Sequence, residues 1–164
     1  MDAELYALSG KVGDALKARK LMVAAAESCT GGWIGQVITM VPGSSNWFDR
    51  SFVTYTNEAK QDMLGVSAET LNAFGAVSEQ TVREMVAGAL TRSRAQVAVA
   101  VSGIAGPGGG SRQKPVGTVV LAWGEKGAGI KAQSIHFQGD RDTVRRQTVI
   151  AALEGLLALV GRKA

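Results

Sequence analysis

Ala26-Glu27-Ser28-Cys29-Thr30-Gly31-Gly32 follows an apolar run, Leu21 to Ala26, and precedes apolar residues at helical spacing, Trp33, Ile34, Val37 and Ile38. That order reads as strand, tight turn, helix. The turn carries a hydroxyl, a thiol and a second hydroxyl, then two glycines where the helix begins. A helix start leaves backbone N–H groups free at a positive dipole end, so it can hold a phosphate or an oxyanion. Gly31 and Gly32 would let a ligand come close to that backbone. The plainer alternative is a hydroxyl N-cap with glycines for close packing.

The strand Leu21 to Glu27 is the kind buried on both faces of an α/β sheet. Upstream, Leu5, Leu8, Val12 and Leu16 give an amphipathic helix over residues 3–20. Downstream, the second helix is expected over 31–40, stopped by Val41-Pro42-Gly43. Phe48 to Thr56 reads as a second strand. Asn57 is expected to cap a short helix that carries Lys60 in its first turn. Ser67 caps another over 68–74, and Ser78 caps a longer one with Val82, Met85, Val86 and Ala89 on its stripe. Gln96 to Ser102 is a buried strand that empties into Gly103-Ile104-Ala105-Gly106-Pro107-Gly108-Gly109-Gly110. Val116 to Trp123 and Ile130 to Phe137 can form a hairpin, which makes the sheet mixed. The last helix runs from Asp140 to about Val160. Its second stripe, Ile150, Leu153, Leu157 and Val160, is either buried between layers or shared with another subunit.

A chain of 164 residues suits one domain, 1–164, with a full core. Apolar content of 46% and charged content of 20% are those of a soluble globular protein. No apolar run reaches the roughly 18 residues of a membrane span, and the acidic start Met1-Asp2-Ala3-Glu4 is unlike a secretory signal. One cysteine excludes an internal disulfide and fits a reducing, cytoplasmic location. The formal charge of +4 is scattered, which gives little support to nucleic-acid binding and suits small anions equally well.

Three loops follow strands: Ser28 to Gly32, Asn57 to Lys60, and Ser102 to Pro115. In open α/β sheets ligands collect where loops leave the carboxyl ends of strands. The glycine loop has neither the G-x-G-x-x-G order nor a following G-K-[ST]. It is either a ligand-approaching loop restrained by Pro107 and Pro115 or a flexible surface loop. Lys60 faces the positive end of its own helix. With burial, that position would lower its pKa and let a neutral amine take a proton from a hydroxyl. Tyr55 could relay or orient a proton, or simply pack on its strand. His136 is the only histidine, sits mid-strand and reads as structural, so neither a Ser-His-Asp triad nor a catalytic zinc is expected. Cys29 lacks a histidine partner and reads as a small buried residue. Arg141 and Arg145, one helical turn apart, either bind an anion or form a solvated face.

Four motifs in order carry a resemblance: Ala26 to Gly32, Tyr55-Thr56-Asn57-Glu58-Ala59-Lys60, Ser102 to Gly109, and Lys114-Pro115-Val116-Gly117-Thr118-Val119. Together they resemble the CinA C-terminal domain family, in its stand-alone nicotinamide-nucleotide amidase form, over nearly the whole chain. The resemblance implies a three-layer α/β/α sandwich with a mixed, mostly parallel sheet, and a homo-oligomer. It implies hydrolysis of the carboxamide of nicotinamide mononucleotide, a small-molecule nucleotide, to nicotinate mononucleotide and ammonia in pyridine-nucleotide salvage. Neither a metal nor a cofactor is implied. By motif, Ser28 is the nucleophile and Lys60 the general base, with Tyr55 as a further catalytic candidate. Thr30, Gly31 and Gly32 are candidate oxyanion donors. Asn57, Ser102, Gly103, Gly106, Gly108, Arg141 and Arg145 are substrate-binding candidates, the glycine loop and an arginine holding the ribose phosphate. Two other classes compete: a non-catalytic nucleotide-binding module, and an interaction protein related to competence or recombination.

Overall fold

The computed structural model describes residues 1–161. Its strands are β1 (Val23–Glu27), β2 (Phe48–Val53), β3 (Val97–Gly103), β4 (Thr118–Glu125) and β5 (Ile130–His136). Its helices are α1 (Ala3–Ala18), α2 (Trp33–Thr39), α3 (Asn57–Leu64), α4 (Ala68–Phe74), α5 (Glu79–Thr91) and α6 (Arg141–Val160). The strands form one sheet in the order β2-β1-β3-β4-β5. β1 pairs in parallel with β2 and β3, while β4 runs antiparallel to both β3 and β5. Four strands therefore point one way and β4 alone opposes them, as the glycine-rich turn between β4 and β5 suggested.

The alternation of β1 explains the layers. Val23 and Ala25 face a core shared with α1, α2 and α6, through Leu5, Val12, Ile34, Ile38, Leu153 and Leu156. Ala24 and Ala26 face the other side, where Leu64, Val66, Val82, Met85 and Val86 cover the sheet. The result is a three-layer α/β/α sandwich. That second face of the sheet is built largely of alanines, Ala24, Ala26, Ala98, Ala100 and Ala122, so its helices approach closely. Gly88 on α5 permits the closest approach: a side chain there would run into the Leu64 carbonyl at the end of α3.

The expected second stripe of α6 divides. Leu153 and Val160 are buried within the chain, and Ile150 and Leu157 are half-buried against the same core. The helix is apolar on two sides, and it packs on α1 as well as on the sheet. Among the described residues, no helix is long and apolar enough to cross a membrane.

The carboxyl ends of β1 and β2 send their chains to opposite faces, β1 into α2 and β2 into α3. Such a divergence opens a crevice at the sheet edge. The three loops named from the sequence all leave the sheet there.

Candidate active site

At the end of β1 the chain turns through Gly31 (φ +60°) and Gly32 (φ +104°), both in the left-handed region that side chains disfavour. Gly32 is the N-cap of α2, so that helix starts at Trp33, two residues later than expected. The helix end is already occupied. Glu27, fully buried, accepts hydrogen bonds from Thr30 Oγ1 (2.6 Å), Ile34 N–H (2.9 Å), Gly35 N–H (3.0 Å) and Ser51 Oγ (2.7 Å). This carboxylate is the anion at the α2 N-terminus, and it takes up the Ile34 and Gly35 N–H groups there. Of the three N–H groups expected as oxyanion donors, that of Gly31 is spent on the Ser28 carbonyl at 3.0 Å. Among the described residues, the Cys29, Thr30 and Gly32 N–H groups have no protein acceptor and remain as candidate oxyanion donors.

Lys60 approaches Ser28 from α3. The N-cap of that helix is Thr56, whose hydroxyl accepts from Ala59 N–H at 3.1 Å. Asn57 is the first helical residue instead, exposed and away from the cleft, because Thr56 already has the extended backbone a cap requires. One turn in, Lys60 is 1% exposed. Its Nζ lies 2.9 Å from Ser28 Oγ, 2.9 Å from the Thr54 carbonyl and 3.3 Å from the Tyr55 carbonyl. No carboxylate pairs with it among the described residues. Burial disfavours the ammonium and pulls the Lys60 pKa from its ordinary 10.5 down to about 8.

The remaining wall comes from β3 and α6. Ser28, Cys29, Tyr55, Lys60, Ser102, Gly103, Ala105 and Arg141 line a cleft of about 260 Å³, together with Ala76 and Val77 from the loop before α5. Gly103 is obligatory, since a Cβ there would stand 2.8 Å from Val119 Cγ2 and 3.2 Å from Cys29 Sγ. Arg141 donates to the Gly106 carbonyl at 2.8 Å and to the Tyr55 hydroxyl at 3.3 Å, bridging the glycine loop and the cleft rim. The Tyr55 hydroxyl thus bonds Arg141, while its carbonyl is what reaches Lys60 and, at 3.5 Å, Ser28 Oγ.

Other candidates stand apart. Arg145 donates to the Cys29 and Thr30 carbonyls (3.0 and 3.1 Å) and lies over the Trp33 ring, so it buttresses the Ser28 turn from outside the cleft. A side chain at Gly106 (φ +82°) would strike Val116, so this glycine shapes the loop itself. Gly108 has open space around it, and nothing there demands a glycine. Burial pushes the Cys29 thiol up to about 11, which leaves it a poor nucleophile. His136 ends β5, its Nε2 2.9 Å from the Val116 carbonyl. No group of three metal-ligating side chains stands together among the described residues.

Sequence reasoning missed Glu27, Ala76, Val77 and Ala105. For Glu27 a signal existed: a carboxylate ending an apolar strand, three residues before a threonine and just ahead of a helix. Ala76 and Val77 carried none, because only the packing of α5 brings their loop to the cleft.

The chain matches the model of the CinA C-terminal domain over residues 5–160. It is 58% identical over 156 residues to nicotinamide-nucleotide amidohydrolase PncC of Escherichia coli (strain K12), covering 94% of each chain. It is 53% identical over 152 residues to the protein of the same name in Pseudomonas putida, covering 93% of this chain and 94% of that one. Among solved structures, the competence/damage inducible protein CihA from Agrobacterium tumefaciens superposes with a TM-score of 0.95 at 48% identity, covering 99% of this chain and 98% of that chain. On this sequence match and this shared architecture, the chain belongs to the CinA C-terminal domain family.

Proposed function

We propose that the chain is a nicotinamide-nucleotide amidohydrolase that converts nicotinamide mononucleotide to nicotinate mononucleotide and ammonia, a step of pyridine-nucleotide salvage. Its likeness to amidohydrolases of that name supports the reaction class and the substrate. The single observation that carries the mechanism is the 2.9 Å contact between Ser28 Oγ and a buried lysine amine that has no carboxylate partner among the described residues.

A neutral Lys60 has two N–H bonds and one lone pair. The Thr54 and Tyr55 carbonyls can accept both N–H bonds, which turns the lone pair toward the Ser28 hydroxyl. Ser28 Oγ attacks the carboxamide carbon as its proton passes to Lys60. The Cys29, Thr30 and Gly32 N–H groups are the available donors for the oxyanion that develops. The intermediate then collapses: the C–N bond breaks, its electron pair stays on nitrogen, and the Lys60 proton completes ammonia. Water, deprotonated by the same amine, hydrolyses the ester left on Ser28. The substrate's pyridinium ring withdraws electrons from the carboxamide and favours attack. Arg141, a cation at the mouth of the cleft beside the glycine loop, is the group for the 5′-phosphate.

The test is ammonia release from nicotinamide mononucleotide. The intact chain should release it, Ser28→Ala should lose nearly all activity, and Cys29→Ala should keep much of it. Loss on Cys29→Ala with an intact fold would move the nucleophile to the thiol. Absence of any release by the intact chain would favour a nucleotide-binding module instead.

A further inference from the structure

Beside Ser28 stands a second serine that the mechanism above does not use. The parallel register of β1 and β3 runs from Val23↔Val97 to Glu27↔Val101. The Ser28 N–H then donates to the Val101 carbonyl at 3.2 Å, which carries the register one step further. Ser28 and Ser102 are therefore lateral neighbours on one face of the sheet, a strand spacing of about 4.8 Å apart. Both line the same cleft. Ser102 is 1% exposed and lines the cleft, and no described residue hydrogen-bonds its hydroxyl. Buried hydroxyls are normally paired within the protein. One that has no protein partner and opens on a cleft is available to a ligand.

We propose that Ser102 binds the leaving nitrogen of the carboxamide. This rests on the amidohydrolase reading. In a planar amide the nitrogen lone pair is delocalised, so the NH₂ group acts as a donor and Ser102 Oγ accepts one of its hydrogens. When Ser28 Oγ bonds to the carbonyl carbon, the nitrogen becomes pyramidal and basic. Holding one N–H on Ser102 turns the freed lone pair toward the Lys60 ammonium. As that proton transfers and the C–N bond breaks, the nitrogen gains positive charge and the N–H···Oγ bond becomes charge-assisted. The contact is thus stronger in the transition state than in the bound substrate, so it acts on kcat more than on KM. It also selects for amides, because the leaving oxygen of an ester has no hydrogen to give.

Nicotinamide mononucleotide and the methyl ester of nicotinate mononucleotide, each given to the intact chain, Ser102→Ala and Ser28→Ala, separate the roles. Ser102→Ala removes a hydroxyl without a partner among the described residues, and Ala98 and Ala100 already occupy the same face of β3, so the fold should be kept. The expected result is a loss in amide kcat of about 10- to 100-fold, the worth of a hydrogen bond to a charged group. KM and ester hydrolysis should stay within about threefold of the intact chain by the same estimate. Ser28→Ala should lose both substrates. Equal losses on amide and ester, an unchanged amide kcat, or a change confined to KM would overturn the assignment of Ser102 and leave the amidohydrolase reading standing. Failure of the intact chain to cleave either substrate would overturn that reading and this assignment with it.

Discussion

Lys60 concentrates the chemistry of the site into one proton. With a pKa of about 8 the amine is neutral in about one molecule in ten at pH 7, against a few in ten thousand for an ordinary lysine. The same shift has a signature in stability. Folding places the group where its charged form is disfavoured, so between about 8 and 10.5 the unfolded chain holds a proton that the folded chain has released. Stability conferred by this group therefore rises with pH across that window. Relative to Lys60→Met, which has no such proton, the wild type should gain about 3 kcal/mol from pH 8 to 10.5, at 1.36 kcal/mol per unit. Urea melts of both proteins across the window measure this. A difference that stays flat with pH would mean that Lys60 is not desolvated. The Lys60 position was legible as an odd cation in a first helical turn. Its cause was not: burial is the largest contribution to the shift, and burial depends on α5 and β3, remote in sequence.

Among the elements, the β1–α2 turn and α3 bring Ser28 and Lys60 together, and each carries a contact that one substitution can test. The α2 end is held by Glu27, whose two oxygens take four donors. Glu27→Gln puts an NH₂ group against at least one of those donors, which should cost about 1–3 kcal/mol. Because Glu27 directly precedes Ser28, kcat should fall as well; a urea midpoint and kcat both equal to wild type would deny the carboxylate this role. The α3 position depends on Gly88. Gly88→Ala would drive a Cβ into the Leu64 carbonyl and push back the helix that carries Lys60. Overpacking of this kind costs about 1–3 kcal/mol, and activity should fall further than stability alone explains. An unshifted melting temperature together with full activity would mean that α3 takes up the extra methyl freely. Both contacts escaped the sequence reading, each for its own reason. The reading treated the helix end as vacant, and nothing in Leu64 or Gly88 shows that they meet.

At the scale of the molecule, the strands, the helices and the order of motifs were legible because each rests on a local pattern: buried runs such as Val97 to Ser102, and Ser67 and Ser78 as caps. The neighbourhood of those elements was not. That β1 lies between β2 and β3 is what sets Ser28 beside both Lys60 and Ser102, and no local spacing carries strand order. The α6 stripe did not by itself choose between burial and a second subunit, because a helix packed on both a sheet and another helix has the same two-sided pattern as an interface. The fold's contribution to function is thus an environment: three layers that enclose one amine and lower its affinity for a proton. The pH dependence of kcat/KM for nicotinamide mononucleotide tests that claim most directly, since it reports groups of the free enzyme. The account predicts a rise through an apparent pKa of about 8 in the wild type, and near-complete inactivity at every pH in Lys60→Arg, whose guanidinium cannot accept the Ser28 proton. Substantial activity in Lys60→Arg, or a profile with no ionisation near 8, would contradict it.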